Sequence, residues 1–572
     1  MKKTVAILLA LLLLPCVALA EPAESEYAAF SQWPVADGSL TVSIYMPQNS
    51  AYGVPAEETW FWPWFEEVTG IDFEITQILD SAMSEQKNLI FASGDLPDVL
   101  LGFGLTANEI VQYGNEEGLL LPLNEYINDD VMPNLVTLME YYPDIKSYIT
   151  SSDGNIYTLC WVWEAAGGEE ARTFIDTDKM RETGIEAVPT TLDAFTDMLY
   201  AMKEQYGEEI IPLGGGFEAY SPFYYILNAF GYVGPESSDG TAVAVRDGHA
   251  VIPATDETFY GALELMNQFY ADGIIDRDFF TLDTTAVNAK CYDGLYGVYP
   301  FVPATVAPDD KEFEKHWVSV TPLTSNDQSE PEWRAANSIY TGGFALSAQT
   351  ENAEAILRAF DALFAYEGHW LAWEGPVYGS ETTQQYHCGG RGVVYDEEEG
   401  YTSVEFLDAN GEKMEGNAYR YSVPSGVVAY AIGNYSVWFE NPEETPNYFY
   451  HLVGVEPVLN VHTYETYEGE RIESEVLSED WRLSIMHYIA PYTITGYPSV
   501  VYMSSDDALR IAELEASLVP YMSNAIAQFI TGDRPLNPEE FESYLQEIEG
   551  MGAAELNELY DGYYQQYLAN LE

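Results

Sequence analysis

The reactive groups this chain supplies most freely are carboxylates, 93 Asp and Glu against 22 Lys and Arg. Two carboxylates on either side of a glycosidic bond would make a glycosidase. With 93 acids spread along the chain, however, pairs arise everywhere and single out nothing. A serine hydrolase needs its nucleophile on a GxSxG turn with a later His, and the nearest echo, Gly343-Phe-Ala-Leu-Ser347, has the wrong spacing. The seven His form no HExxH or HxH, and His387-Cys388 alone does not make a zinc site. No P-loop and no GxGxxG is present. The expectation is a protein that is not an enzyme, with no catalytic residue, no metal site and no cofactor.

Composition narrows the partners. A formal net charge of -71 repels DNA, RNA and anionic lipid surfaces alike. The acids are dispersed, which suits solubility in a salty or calcium-rich extracellular setting better than an acidic tract for a basic partner. The chain has 572 residues, 47% of them hydrophobic, enough for two to four domains or lobes. Met1-Lys-Lys, the apolar run Thr4 to Leu14 and Ala18-Leu-Ala20 before Glu21 predict a secretory signal peptide over residues 1–20. Cys16 offers a lipid anchor instead, but Pro15 stands where lipoprotein signals carry a small residue, so cleavage after Ala20 is favoured. No later apolar run approaches the length of a membrane span, about 18 residues. Cys160, Cys291 and Cys388 then remain, an odd number without CxxC, which excludes a disulfide scaffold and favours buried thiols, one bridge staying open.

The elements that would position a site alternate between strand and helix. The most informative stretch is Phe91-Ala-Ser-Gly-Asp-Leu-Pro-Asp-Val-Leu-Leu-Gly102. The amphipathic run from Ser84 stops at Gly94, Pro97 blocks continuation, and Asp98-Val-Leu-Leu reads as a buried strand. Upstream, Leu40 to Tyr45 alternates as a strand, Thr59 to Gly70 fits a helix, and Asp72-Phe-Glu-Ile-Thr is the next strand. Thr190 or Thr191 should cap a helix with Asp193 in its first turn. Asn352 to Phe364 and the Glu- and Tyr-rich end from Asn537 read as helices, with no internal repeat or low-complexity linker. The pattern predicts an α/β protein with covered, mostly parallel sheets.

In order along the chain, Glu67-Val-Thr-Gly-Ile, Ala92-Ser-Gly-Asp-Leu-Pro-Asp-Val, Tyr113-Gly to Ile127, Asp153-Gly-Asn-Ile-Tyr-Thr-Leu, Phe174 to Pro189-Thr-Thr, Tyr270-Ala-Asp-Gly-Ile-Ile-Asp and Glu367 to Gly379 resemble the family 1 extracellular solute-binding proteins. These are the capture subunits of ATP-driven (ABC) sugar importers, and the chain looks most like their large oligosaccharide-type branch. The likeness spans about residues 40 to 380. It implies a two-lobe, type II periplasmic-binding-protein-like fold with a ligand cleft between lobes joined by hinge crossings. The expected division is 21–38 flexible, 39–160 plus about 318–366 as the first lobe, and about 165–317 plus about 367–572 as the second. Alginate-type relatives insert a calcium loop after the helix near Pro189, but Lys203 to Pro212 is too short to supply the oxygens calcium needs, so no calcium loop is expected.

The resemblance implies capture of a carbohydrate, an oligosaccharide first, and delivery to permease subunits outside the cell or, in a cell with two membranes, in the periplasm. A peptide-like solute or a sensor role on the same fold stays open, and a secreted glycosidase is a more distant alternative. Sugars are held by aromatic faces and a few polar groups, and the chain carries 12 Trp and 44 Tyr. The candidate ligand-binding residues are Trp161, Trp163 and Glu164 after the hinge-entering strand; Phe217, Tyr220 and Phe223 beside the Gly214-Gly-Gly loop; Tyr299 and Phe301; Trp370, Trp373, Glu374 and Tyr378; and Tyr435 and Trp438. The cluster Trp60, Trp62 and Trp64 sits at helical spacing that favours the core instead.

Overall fold

The computed structural model describes residues 32–162, 173–235, 239–307, 311–335, 339–396, 401–422, 428–434, 461–474 and 480–571. The signal peptide therefore lies outside the described residues, as do Trp163, Glu164, Tyr435 and Trp438. The strands that frame the site are β1 (Leu40–Gln48), β2 (Ile71–Leu79), β3 (Val99–Leu101), β4 (Thr158–Val162), β5 (Phe174–Asp176), β6 (Ile211–Leu213), β7 (Tyr296–Tyr299), β8 (Trp317–Ser319), β9 (Trp333–Arg334), β10 (Ile339–Leu346), β11 (Gly433–Asn434) and β12 (Thr493–Ile494).

Six of them form one sheet in the order β11-β4-β10-β3-β1-β2. All its pairings are parallel except those of β10, which runs antiparallel to both β3 and β4. All residues of β3 and β4 are buried, as strands covered on both faces must be. On one face Val42, Ile44, Val99, Leu101, Phe344 and Leu346 share a core; on the other, Leu100 and Ala345 belong to a second. Helix α1 (Phe61–Thr69) covers the first face and ends at Gly70 in the left-handed conformation. There a side chain would collide with the Ala36 carbonyl oxygen, 2.1 Å from an added Cβ. Trp60 and Trp62 are buried in that core as expected, with Phe65 within 5.3 Å of Phe61, Phe73 and Phe360 ring centroids. The segment to Gly38, expected to be flexible, is tied down from Trp33 on. Trp33 packs edge-on against Trp64 and Phe65, and the Val35 and Ala36 amides donate to the Thr69 carbonyl.

Helix α2 (Met83–Ser93) stops at Gly94, whose φ of 69° is left-handed, and Leu96 is buried just before β3. Asp98 then ties β3 to β1. Its carboxylate accepts from the Ser43 amide (2.9 Å) and hydroxyl (2.8 Å), while its own amide donates to Ser43 Oγ at 2.9 Å. Hydrogen bonding holds this carboxyl below its usual range even though burial pulls the other way. Helices α3 (Pro133–Tyr141) and α4 (Ile145–Ile149) precede β4.

The smaller sheet is ordered β8-β5-β7-β6 and is mixed, with β6 and β7 parallel and β5 antiparallel to its neighbours, where a mostly parallel sheet was expected. Helix α5 (Leu192–Tyr206) packs on it through Phe195, Met198, Leu199 and Met202, and Thr191 caps it by accepting from the Ala194 amide. Gly207 ends that helix and β6 begins at Ile211, leaving a short link. Helix α6 (Phe259–Asp272) adds to the same core.

The observed pairings differ from the expected division. Trp317–Ser319 pairs with Phe174–Asp176 and so extends the smaller sheet. Helix α7 (Tyr366–Glu374) and the chain to Asn434 pack with the larger sheet, through Ala372, Trp373, Tyr419, Val428 and Ala431, and β11 pairs with β4. Apolar spacing on α7 says that one face is covered but not by which sheet. The final helices α8 (Ser505–Thr531), α9 (Pro538–Met551) and α10 (Ala553–Leu571) return to the smaller sheet's core. Between the two cores β9 pairs in parallel with β12, Trp333 opposite Thr493.

Candidate functional site

In open α/β sheets ligands gather at the carboxyl ends of the parallel strands. At that end of the larger sheet, β4 carries Trp161, and its register partner on β10 is Tyr340. Their ring centroids are 4.8 Å apart, and Trp373 from α7 stacks on Trp161 at 6.3 Å and 21°. Trp161 and Trp373 are each 9% exposed, whereas Tyr340 is 36% exposed, so Tyr340 is the ring that reaches solvent. Its placement depends on two glycines. The β10 register shifts between Tyr340 and Phe344. At Gly342 (φ 77°) an added Cβ would lie 2.0 Å from the Leu105 carbonyl oxygen, and at Gly343 2.2 Å from that of Ala431. Only glycines let the strand bulge through that gap and re-aim its first residues. Sequence reading missed Tyr340, although the Gly342-Gly343 pair between apolar residues is the signal of a strand with a bulge. His369 stacks on Trp373 at 6.1 Å, and burial pushes its imidazole down to about 3, so it is a neutral ring there.

The other candidates of this region have structural work. The buried Glu374 carboxylate pairs with the mostly buried Arg391, whose guanidinium lies 4.5 Å from the centre of the Phe406 ring. Tyr419 donates its hydroxyl to the Glu374 carbonyl at 2.7 Å. Tyr378 is half-buried against the hairpin 390–407, its amide donating to the Arg391 carbonyl and its hydroxyl close over Gly411. Trp370 falls within α7, its side chain outside the described residues.

At the carboxyl end of the smaller sheet, β6 runs into Gly214-Gly-Gly216 and β7 into Pro300-Phe301. Tyr220, held at φ 52°, stacks on Phe301 with centroids 4.0 Å apart and planes 18° from parallel. Both residues are half-buried. The glycine loop does not leave its backbone open to a ligand, as its sequence suggested. The Tyr296 ring sits 2.4 Å from an added Cβ at Gly214, and the Tyr220 carbonyl oxygen fills the same space at Gly215. Phe217 packs on Phe279 and Phe280, and Phe223 is fully buried against Phe259. Tyr299 is fully buried, donates to Asn288 Oδ1 at 2.8 Å, and has its phenol pushed well up by burial. Of the described candidates, the structure brings Trp161 and Trp373 together on one sheet edge and Tyr220 and Phe301 on the other. It commits Phe217, Phe223, Tyr299 and Glu374 to packing or pairing.

Among the described residues no group of three or more His, Cys, Asp and Glu could hold a metal ion, and no described helix is long and apolar enough to cross a membrane. Cys160, Cys291 and Cys388 are free thiols, the first two buried.

The profile of the bacterial extracellular solute-binding protein family matches residues 45–369. The fructooligosaccharide ABC transporter substrate-binding protein FusA of Streptococcus pneumoniae is 23% identical over 532 residues, covering 88% of this chain and 86% of FusA. The structure of FusA in complex with kestose superposes with a TM-score of 0.61 at 22% identity, covering 93% of this chain and 100% of FusA. An extracellular solute-binding protein from Bifidobacterium longum subsp. infantis gives 0.68 at 19% identity, over 92% of this chain and 98% of its own. At such identities the superpositions establish the two-lobe periplasmic-binding-protein-like fold. With more than half of its 572 residues matched by the family profile, the chain belongs to the bacterial extracellular solute-binding proteins.

Proposed function

We propose that this protein captures a neutral oligosaccharide between the aromatic edges of its two sheets and delivers it to an ABC permease, performing no chemistry on it. The observation that carries the reading is the pair of part-exposed aromatic platforms at the two carboxyl edges, Tyr340 with Trp161 and Trp373 on one and Tyr220 with Phe301 on the other. Ring faces of this kind cover the C–H surfaces of pyranose and furanose rings, and the low-polarity setting strengthens each hydrogen bond to a hydroxyl. The fructooligosaccharide-binding relative supports the same ligand class. In this reading one lobe comprises 39–162 with 339–434, the other 173–319 with 461–571, and ligand shifts the population towards a closed form. The protein acts outside the membrane, either freed by cleavage after Ala20 or tethered at Cys16.

The experiment is a thermal-shift screen with kestose, maltotriose, cellotriose and xylotriose beside defined tripeptides. A ligand that binds only the folded state raises the melting midpoint. At least one trisaccharide should do so. A response to a tripeptide with silence across the sugars would overturn the ligand class, and release of a shortened sugar product would overturn the absence of catalysis.

A further inference from the structure

Two adjoining cavities lie beside α4. One, of about 440 Å³, is bordered by Lys146, Thr150, Tyr502, Tyr563 and Gln566 among others. The next, of about 350 Å³, is bordered by Tyr142, Tyr148, Arg334, Ile339 and Tyr497. They share Pro143, Asp144 and Tyr567, so together they form one trough. The larger cavity alone falls within the range of small-molecule sites, roughly 300–1,000 Å³.

The trough is not the edge site described above. Successive strand residues point to opposite faces of a sheet. Tyr340 turns to Trp161, while its neighbour Thr341, and Thr158 three residues before Trp161, lie beside the trough's Tyr502. Tyr502, also on the border, packs with Leu100 and Ala345, whose neighbours Val99, Leu101, Phe344 and Leu346 face the other core. The two places therefore lie on opposite faces of the larger sheet.

Its chemistry is aromatic and hydroxylic. Tyr148 and Tyr567 meet edge to face at 6.2 Å, and Tyr497 stacks on Tyr564 at 5.9 Å. Tyr497 borders the trough, and its buried hydroxyl has no hydrogen-bond partner among the described residues. Burial pushes its phenol up, so it remains an O–H group able to donate and accept. A buried hydroxyl left so requires a partner. Lys146 and Gln566 stand exposed at the rim, and no described acid pairs with Lys146. Asp144 borders both cavities beside Lys146 and Arg334, and the chain's charge of -71 disfavours an anion.

The walls also come from both lobes. α4 and Ile339 belong with the larger sheet. α10 is held to the smaller sheet's side, Asp561 accepting from the Ala250 amide at 2.9 Å and Asn557 from the Ile252 amide at 3.0 Å.

We propose that this trough is a second binding site, taking a neutral saccharide of two or three rings between α4 and α10. Its ligand class follows that proposed for the edge site, but its residues do not. The test is isothermal titration of the whole chain with each of the four trisaccharides named above, comparing Tyr497→Phe, Gln566→Ala and Tyr340→Ala variants. Gln566 is exposed and Tyr497→Phe removes a single oxygen, so both fold. Two binding events are expected in the parent chain. Tyr497→Phe and Gln566→Ala should weaken one of them several-fold and leave the other, and Tyr340→Ala should do the reverse. A single event lost in Tyr340→Ala and untouched by the trough variants overturns the second site and leaves the capture reading standing. A single event lost only in the trough variants overturns the edge site as the place of capture. Binding of a tripeptide in the trough, in place of every sugar, overturns the ligand class.

Discussion

Replacing Asp361 by Asn should remove a pH dependence of stability that one buried carboxyl builds into the lobe of the six-stranded sheet. Helix α3 begins at Pro133, which has no N–H, and Met132 before it offers no side-chain cap. The acceptor comes instead from 226 residues downstream: Asp361 Oδ1 accepts from the Leu135 amide at 3.0 Å, and Oδ2 from the Asn134 amide and side chain at 3.0 and 2.9 Å. A carboxylate at a helix N-terminus also meets the positive end of the dipole. Yet Asp361 is only 1% exposed, and burial outweighs those bonds, raising its pKa from 3.8 to about 6. The folded state thus holds this proton more tightly than the unfolded chain. Stability is greatest below the unfolded value, falls as pH rises through the window from 3.8 to about 6, and is flat above it. A shift of that size corresponds to about 3 kcal/mol. The many other acids add their own slope, but they are common to both proteins and cancel in the difference. Thermal melts of parent and Asp361→Asn, taken from pH 4 to pH 8, should therefore diverge. From pH 4 to pH 8 the parent's advantage should shrink by about 2.4 kcal/mol, roughly 5–10 °C for a unit the size of one lobe. Melting curves that stay parallel across the range would refute the assignment of a raised pKa to Asp361.

Three further outcomes are expected. Tyr340→Ala should weaken trisaccharide binding about tenfold, read by titration calorimetry, while costing less stability than Trp161→Ala, because Tyr340 is 36% exposed and Trp161 9%. Gly342→Ala should lower the urea midpoint, the left-handed backbone alone costing about 1–2 kcal/mol and the contact with Leu105 adding to it. Arg391→Ala should strand the Glu374 carboxylate and cost about 3–5 kcal/mol in chemical denaturation, with trisaccharide affinity of the folded fraction unchanged.

Local punctuation carried much of the fold. Gly70 and Gly94 sit at left-handed helix stops, Thr191 caps its helix, and the run after Pro97 is a strand buried on both faces, because each depends on backbone chemistry within a few residues. What spacing could not carry was the choice of partner. Trp317–Ser319 and α7 are apolar enough for either core, and only pairing across more than a hundred residues assigns them. The site was legible in the same measure. Trp161 and Trp373 were visible as aromatics near a hinge, while Tyr299 and Phe223 have the same composition and are consumed by packing. Glu374 looked available because its partner, Arg391, lies 17 residues on, beyond any helical spacing.

The stretch from Trp333 to Leu346 joins three roles that binding proteins of two lobes must couple. Trp333 packs with Tyr224 and Tyr225 in the core of the smaller sheet, Tyr340 stands in the aromatic edge, and Leu346 is fully buried in the core of the larger sheet. β9, at its start, pairs with β12, so the crossing begins in a hydrogen-bonded element. A ligand can shift an open–closed equilibrium only by binding the two forms unequally. A ring carried on the crossing strand itself meets that condition directly, since moving one lobe changes the surroundings of Tyr340 without rearranging either core. The bulge at Gly342-Gly343 separates that ring from the buried ladder that begins at Phe344. In the proposed capture reading, rigidity below the bulge and exposure above it make this strand the point where binding and closure would meet.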